Sequence, residues 1–359
     1  MSKIYNVAVV GGGIGRSHIS EGYVPNADRF KVLAICDLDE ERRSKLVDEF
    51  DIERSIENFD DLLTMDDIDI IDICTPPMVH LPMILAALKA GKHVVCEKPL
   101  VGSLADIDEV IEAEKASSGR LMPVFQYRFG NGIQQAKAII DAGIAGKPYV
   151  GTVETLWKRG ADYYSVPWRG KWKTELGGVL MGHAIHPHDI FTYLMGRPKS
   201  LFGRTATRVN PIEVEDCVSA SLEMESGALA SFTATLGSAD EISRIRLAFE
   251  NVTIESDHAP YNPGAALWKI LPRNDKAKAE IDALLADWQD VPARFGTQMY
   301  RFWDALETGG KLPVTSADSR LALEIVTAIY HSNETHEEVQ FPVGAAHPKY
   351  QSWLPEAFR

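Results

Sequence analysis

The chain has 359 residues, enough for two domains with full cores. Its hydrophobic fraction of 45% and charged fraction of 25% are ordinary for a soluble globular protein. A net charge of −14 repels phosphate backbones, so nucleic acid is excluded as an expected partner.

Residues 7–10 are a short apolar strand that enters Gly11-Gly12-Gly13-Ile14-Gly15-Arg16-Ser17-His18. Glycines here let the backbone turn tightly and approach a pyrophosphate, with the amides of the following helix start facing that anion. Gly11, Gly13, Ile14 and Gly15 are the candidate contacts, although Arg16 stands where a strict G-x-G-x-x-G run would put its third glycine. Residues 31–36 read as the second strand. Asp37 ends it, near the ~20-residue spacing of the acid that accepts from the adenosine ribose. Its carboxylate would repel a 2′-phosphate, and no adjacent Arg or Lys stands ready to receive one, so the expected cofactor is NAD rather than NADP. The alternative for Asp37 is an N-cap ahead of Glu40-Glu41-Arg42.

Residues 68–75 make a further strand, stopped by Pro76 and Pro77. A helix over 81–90 follows and is closed by Gly91. His80, at its start, is open to either a ligand or a structural role. Next comes His93-Val94-Val95-Cys96-Glu97-Lys98-Pro99, a β-rich run ending in a carboxylate, an amine and a proline. Ligands of open parallel sheets bind beyond the carboxyl ends of the strands, where a lysine ammonium can meet a substrate oxygen. A helix over 104–116 and a strand over 121–129 complete the alternation of a doubly wound parallel sheet.

The pattern then changes. After a helix over 133–141 come strands at 149–157, 199–208, 217–225, 228–236, 242–250 and 252–256, with breaks at Ser226-Gly227 and Glu250-Asn251. This predicts an open antiparallel sheet with one apolar face, flanked by helices over 292–306 and 317–333. The expected domains are 1–128 and 129–359. The start, Met1 to Ile4, predicts no secretory leader, and no run reaches the ~18 apolar residues of a membrane helix. Cys36, Cys74, Cys96 and Cys217 show no paired spacing and read as reduced thiols of a cytoplasmic protein.

His183, His186 and Asp189 are spaced three apart and would share a helix face. Three readings compete: a two-histidine, one-carboxylate metal site; a structural helix start in which Asp189 holds a histidine; and a catalytic set. In the last, which is preferred, Asp189 or a backbone carbonyl fixes the tautomer of His186, and His186 moves a proton.

The Cys96-Glu97-Lys98-Pro99 run, the Thr75-Pro76-Pro77 turn, the Trp168-Arg169 pair and the stretch from Gly177 to Asp189 together resemble the Gfo/Idh/MocA oxidoreductases. The resemblance implies an N-terminal Rossmann domain, a C-terminal open-sheet domain, NAD as cofactor, and a cis Lys98–Pro99 peptide. It implies that Thr75, Pro76, His80, Glu97, Lys98, Trp168 and Arg169 line the cofactor, with the glycine turn and Asp37. His186 and Asp189 match the family's D-x-x-x-H-x-x-D pattern, but Gly182 replaces its first aspartate, leaving His183 as a possible substitute.

The implied reaction oxidises a secondary alcohol of a sugar, cyclitol or related polyol by hydride transfer to nicotinamide. Lys98 would stabilise the developing charge on oxygen. His186, with the ordinary imidazole pKa of ~6.5, would take the proton. Gln126, Arg128, Tyr163, Arg169, His183 and Asp189 would read the substrate hydroxyls. A homodimer or homotetramer is implied, through the open sheet face. Two other functions stay open: an NAD-dependent glycosidase and a non-catalytic NAD sensor. Net NADH accumulation separates the dehydrogenase from both.

Overall fold

A computed structural model describes residues 2–358. The short apolar runs of the first third pair as parallel strands: β1 (Tyr5–Val10), β2 (Phe30–Cys36), β3 (Arg54–Ile56), β4 (Ile70–Ile73), β5 (His93–Cys96) and β6 (Leu121–Pro123). Their order is β3-β2-β1-β4-β5-β6. Strand order reverses between β1 and β4, where such sheets leave a crevice at the strands' carboxyl ends. Ile70, Ile71, Ile73, Val94, Val95 and Cys96 are fully buried, as expected of strands covered by helices on both faces.

Helices Glu40–Phe50, His80–Lys89 and Leu104–Ala116 connect the strands. Asp39 caps the first by accepting from the Arg42 amide at 3.0 Å, so the cap role weighed for Asp37 belongs to Asp39. Ser103 caps the third by accepting from the Asp106 amide at 3.0 Å. The strand expected over 121–129 is cut short. Proline has no N–H to continue the ladder, and pairing ends at Pro123. Gln126–Arg128 then form a 3₁₀ turn.

The first unit runs to Gln126 and takes back Arg294–Arg320; the second comprises Tyr127–Ala293 and the chain from Leu321 onward. The helix expected near 292–306 therefore leaves the second domain. It forms as Phe295–Thr308 and packs in the first unit, around the turn His18–Tyr23. The reason lies in small and polar contacts. A Cβ on Gly22 would stand 3.3 Å from Phe295 and 3.2 Å from Met299. Asn26 donates to the Gly296 carbonyl at 2.9 Å, and Gln298 to the Pro123 carbonyl at 2.8 Å.

The second unit is built on β7 (Pro148–Lys158), β8 (Pro198–Ala206), β9 (Cys217–Met224), β10 (Leu229–Thr235), β11 (Gly237–Phe249), β12 (Val252–Glu255), β13 (Lys269–Pro272) and β14 (Val339–Gln340). Their order is β13-β12-β11-β7-β10-β9-β8-β14. β10 runs parallel to β7, so the sheet is mixed rather than wholly antiparallel. β9 and β10 close the expected Ser226-Gly227 hairpin, which leaves the other edge of β10 to the distant β7. Along β10, Ala230, Phe232 and Ala234 are buried while Ser231 and Thr233 face outward. Helix Ile185–Met195 covers the buried face. Phe191 meets Phe232 edge-on at 5.0 Å, and His188 lies flat on Phe232 at 4.2 Å. Gly151 makes room, since a Cβ there would stand 2.3 Å from the Phe191 ring. Among the described residues, no helix is long and apolar enough to cross a membrane.

Candidate active site

The glycine turn leaves β1 with Gly11 at φ +95°, a conformation that favours glycine. A Cβ on Gly11 would stand 2.7 Å from the Cys74 carbonyl oxygen, and one on Gly15 would stand 2.8 Å from Val9. A Cβ on Gly13 would meet nothing within 4 Å. Gly11 and Gly15 thus bring the turn down onto the sheet, and Gly13 keeps the outer side clear beside an exposed Ile14.

Asp37 ends β2 next to this turn. Its carboxylate accepts from the Gly12 amide at 2.7 Å and the Asp39 amide at 2.9 Å. Arg42 Nη1 sits 3.0 Å and 3.2 Å from the two oxygens, so the arginine that seemed remote in sequence folds back onto the acid. Burial pulls the Asp37 pKa upward. The two amides and Arg42 outweigh it and hold the carboxyl below its ordinary range. An open glycine turn beside an ionised acid at the end of the second strand fits an adenosine ribose and a pyrophosphate.

Thr75 and Pro76 follow β4, and the Lys98–Pro99 peptide is cis. Lys98 is half-buried at the carboxyl end of β5. Two expected cofactor contacts turn inward instead. His80 is fully buried, with Nε2 2.8 Å from the Thr75 carbonyl and Nδ1 3.0 Å from the Pro99 carbonyl. It clamps the Thr75 turn to the Lys98 loop. Burial drives its pKa down. Glu97 points into the core, where Oε1 lies 3.0 Å from His18 Nε2 and Oε2 accepts from the Lys98 amide at 3.0 Å. Gln126 is also buried in this unit.

The trio His183, His186 and Asp189 belongs to the second unit. His183 sits in a π-helical turn, Leu180–Ala184, ahead of the helix that carries the other two. Its ring lies 5.6 Å from Tyr163 and 5.1 Å from Trp157. His186 stacks on Tyr127 at 4.3 Å with the planes 24° apart. Asp189 accepts two hydrogen bonds from Arg128, one of them at 2.6 Å, and both side chains are buried. Arg128 also lies over Tyr193 at 4.9 Å. Arg128 and Asp189, expected to read hydroxyls, hold each other. Asp189, expected to orient His186, also carries this guanidinium.

Arg169 lies 3.8 Å over the Tyr163 ring and 4.8 Å over Trp168, and burial lowers its pKa. Reasoning from sequence missed Glu175. It is buried, accepts from the Gly170 amide, and its Oε1 lies 3.7 Å from where a Cβ on Gly182 would stand. A carboxylate thus occupies the neighbourhood of Gly182, supplied from a different position in the chain. Glu215 was missed as well. It accepts from the Gly178 and Leu180 amides at 3.0 Å and from Tyr330 Oη at 2.9 Å, pinning the turn that carries His183. Burial pushes its carboxyl up to about 7.

Residues 5–125 match the Gfo/Idh/MocA oxidoreductase family, NAD-binding Rossmann fold, and residues 133–255 match the Gfo/Idh/MocA C-terminal domain. The chain is 32% identical over 238 residues to an uncharacterised oxidoreductase, YrbE, of Bacillus subtilis, covering 64% of this chain and 67% of that protein. It is 29% identical over 193 residues to myo-inositol 2-dehydrogenase of Thermotoga maritima, covering 53% of this chain and 54% of that one. The WlbA dehydrogenase of Bordetella pertussis, solved with NADH and UDP-GlcNAcA, superposes with a TM-score of 0.83 at 25% identity over 96% of this chain and all of that one. The chain belongs to the Gfo/Idh/MocA family of oxidoreductases, and its Rossmann unit takes NAD.

Proposed function

We propose that the protein is an NAD-dependent dehydrogenase that oxidises a secondary alcohol of a sugar, cyclitol or related polyol. The observation that carries this reading is Lys98, half-buried at the end of β5 and tied through its own amide to the inward-facing Glu97. Bound NAD supplies the hydride acceptor. Lys98 donates to the substrate oxygen and stabilises the charge that develops as the hydride leaves. His186, its ring plane set by Tyr127, takes the hydroxyl proton. The polar and aromatic set of Tyr163, Arg169, His183 and Glu175 suits a ligand rich in hydroxyls, because a site built to hydrogen-bond rejects analogues that lack those groups. Thr75, Pro76 and Trp168 remain assigned to the cofactor. Relatives named for inositol oxidation and for binding NADH with a sugar nucleotide support the substrate class. The same reading includes a homodimer or homotetramer on the sheet face that exposes Ser219, Ser221, Ser231 and Thr233.

The test is NADH formation at 340 nm across inositols, aldoses and anhydrosugars. One class should give net turnover with NAD. Lys98→Ala should then lower kcat by roughly three orders of magnitude while the Kd for NADH changes little. A variant with full kcat would remove Lys98 from the chemistry. Sugar release without NADH would replace the dehydrogenase with a glycosidase.

A further inference from the structure

The first unit buries a second cluster of ionisable groups that the mechanism above does not use. Asp72 is a lone carboxylate in an otherwise apolar strand, β4. His18 follows the glycine turn, and Glu97 ends β5. All three are buried. His18 Nδ1 lies 2.8 Å from Asp72 Oδ2, and Nε2 lies 3.0 Å from Glu97 Oε1. Tyr23 Oη donates to the same Asp72 oxygen at 2.9 Å. Cys74 Sγ lies 3.4 Å from His18 Nδ1 and 3.5 Å from Asp72 Oδ1. The Phe295 ring covers the imidazole at 4.5 Å.

The donor count and the charge of the neighbours together bear on the state of the ring. A carboxylate only accepts, while a neutral imidazole has one donor and one acceptor. Both ring nitrogens face carboxylates, so a neutral ring would leave one nitrogen lone pair pressed against a carboxylate oxygen. Both acids accept from further donors, Tyr23 and the Cys74 thiol on Asp72 and the Lys98 amide on Glu97, as suits ionised groups. The arrangement closes with a doubly protonated ring between two anions. His80 also has an acceptor at each nitrogen, but its two neighbours are neutral carbonyls, with no charge to offset burial, which lowers its pKa. The atoms of His18, Asp72 and Cys74 lie within 4.8 Å of one another, as metal ligands would. The hydrogen bonds to Tyr23 and Glu97 account for them without an ion.

We propose that His18 is a positioning residue for Lys98: as an imidazolium between Asp72 and Glu97, it keeps Glu97 ionised and fixed, and Glu97 in turn fixes the Lys98 backbone. The proposal rests on the reading that Lys98 acts on the substrate, but the charge state of His18 does not. Electrostatics agree in direction. Burial alone would lower the His18 pKa, yet Asp72 holds it well above the ordinary value. Burial alone would raise the Glu97 pKa, yet His18 holds it low. Removing the ring would leave two buried carboxylates without their cation, and one would have to take up a proton or swing away.

The experiment is ¹⁵N-histidine NMR on the full-length protein between about pH 5.5 and 9, where an ordinary imidazole would titrate. His18→Gln provides the assignment. The result expected is one histidine with both ring nitrogens protonated across the range, absent in His18→Gln. In the same variant the Kd for NADH should stay within about threefold, while kcat falls tenfold or more and its pH profile shifts. A neutral tautomer for His18 at pH 7 in the native protein overturns the proposal, whether or not the variant folds. Unchanged kcat and pH profile in a folded His18→Gln protein also overturn it. If Lys98→Ala retains kcat while His18 stays doubly protonated, the catalytic reading of Lys98 has failed and the charged triad has not.

Discussion

Glycine at 182 and glutamate at 175 are best understood together. A methyl group on Gly182 would make ordinary contact with the Glu175 carboxylate at 3.7 Å. A carboxylate there would face a like charge in a buried setting, which is costly. Gly182→Ala should therefore keep near-native kcat. Gly182→Asp should lose about tenfold or more, and Glu175→Gln added to Gly182→Asp should restore part of it. Steady-state kinetics on the four proteins, including Glu175→Gln alone, checks the coupling. At this scale the sequence was legible where chemistry is contiguous. Glu97-Lys98-Pro99 and the Gly11–Gly15 turn announce themselves because the residues that cooperate are neighbours. His18, Asp72 and Glu97 lie on three separate elements, and each alone has a bland reading. The one available signal was Asp72, a charge inside an apolar strand. The Arg128 partner of Asp189 was not legible either, because helix spacing says nothing of a side chain 61 residues away.

Among the elements, those governed by local rules came through well. Helix Leu104–Ala116 has the expected bounds because Ser103 caps it, and the β9–β10 hairpin follows its Ser-Gly turn. The parallel pairing of β10 with β7 was not legible, since strand alternation says which face is buried but not which distant strand lies alongside. The turn Leu180–Ala184 carries a further prediction. Glu215, which pins it, has a folded-state pKa of about 7 against 4.5 for an ordinary glutamate. The folded carboxyl holds its proton more tightly than the unfolded one. Its contribution to stability is therefore full below about pH 4.5 and is lost as pH rises to about 7. Part of any fall in Tm across that window should be absent in Glu215→Gln, whose amide oxygen can still accept from Gly178 and Leu180. Differential scanning fluorimetry from pH 4.5 to 8 reads the difference, and an equal fall in both proteins would clear Glu215 of the effect.

For the molecule as a whole, the informative feature is that the first unit is discontinuous. Helix Phe295–Thr308 supplies Phe295 against His18 and Gln298 against the end of β6. A fragment of residues 1–126 should therefore stay poorly folded by circular dichroism and bind no NADH. The same fragment joined by a flexible linker to residues 294–320 should recover both. A fragment that folds and binds without the helix would contradict this. Composition could say that the chain is long enough for two cores. It could not say that a late helix belongs to the early one.

That arrangement sets a timetable for synthesis. The ribosome completes the strands of the nucleotide unit early, then must translate everything from Tyr127 to Ala293 before the segment that seals it appears. Until then the imidazole of His18 lacks the aromatic lid that shields it from water, and the NAD pocket of a nascent chain stays unfinished until synthesis is almost over.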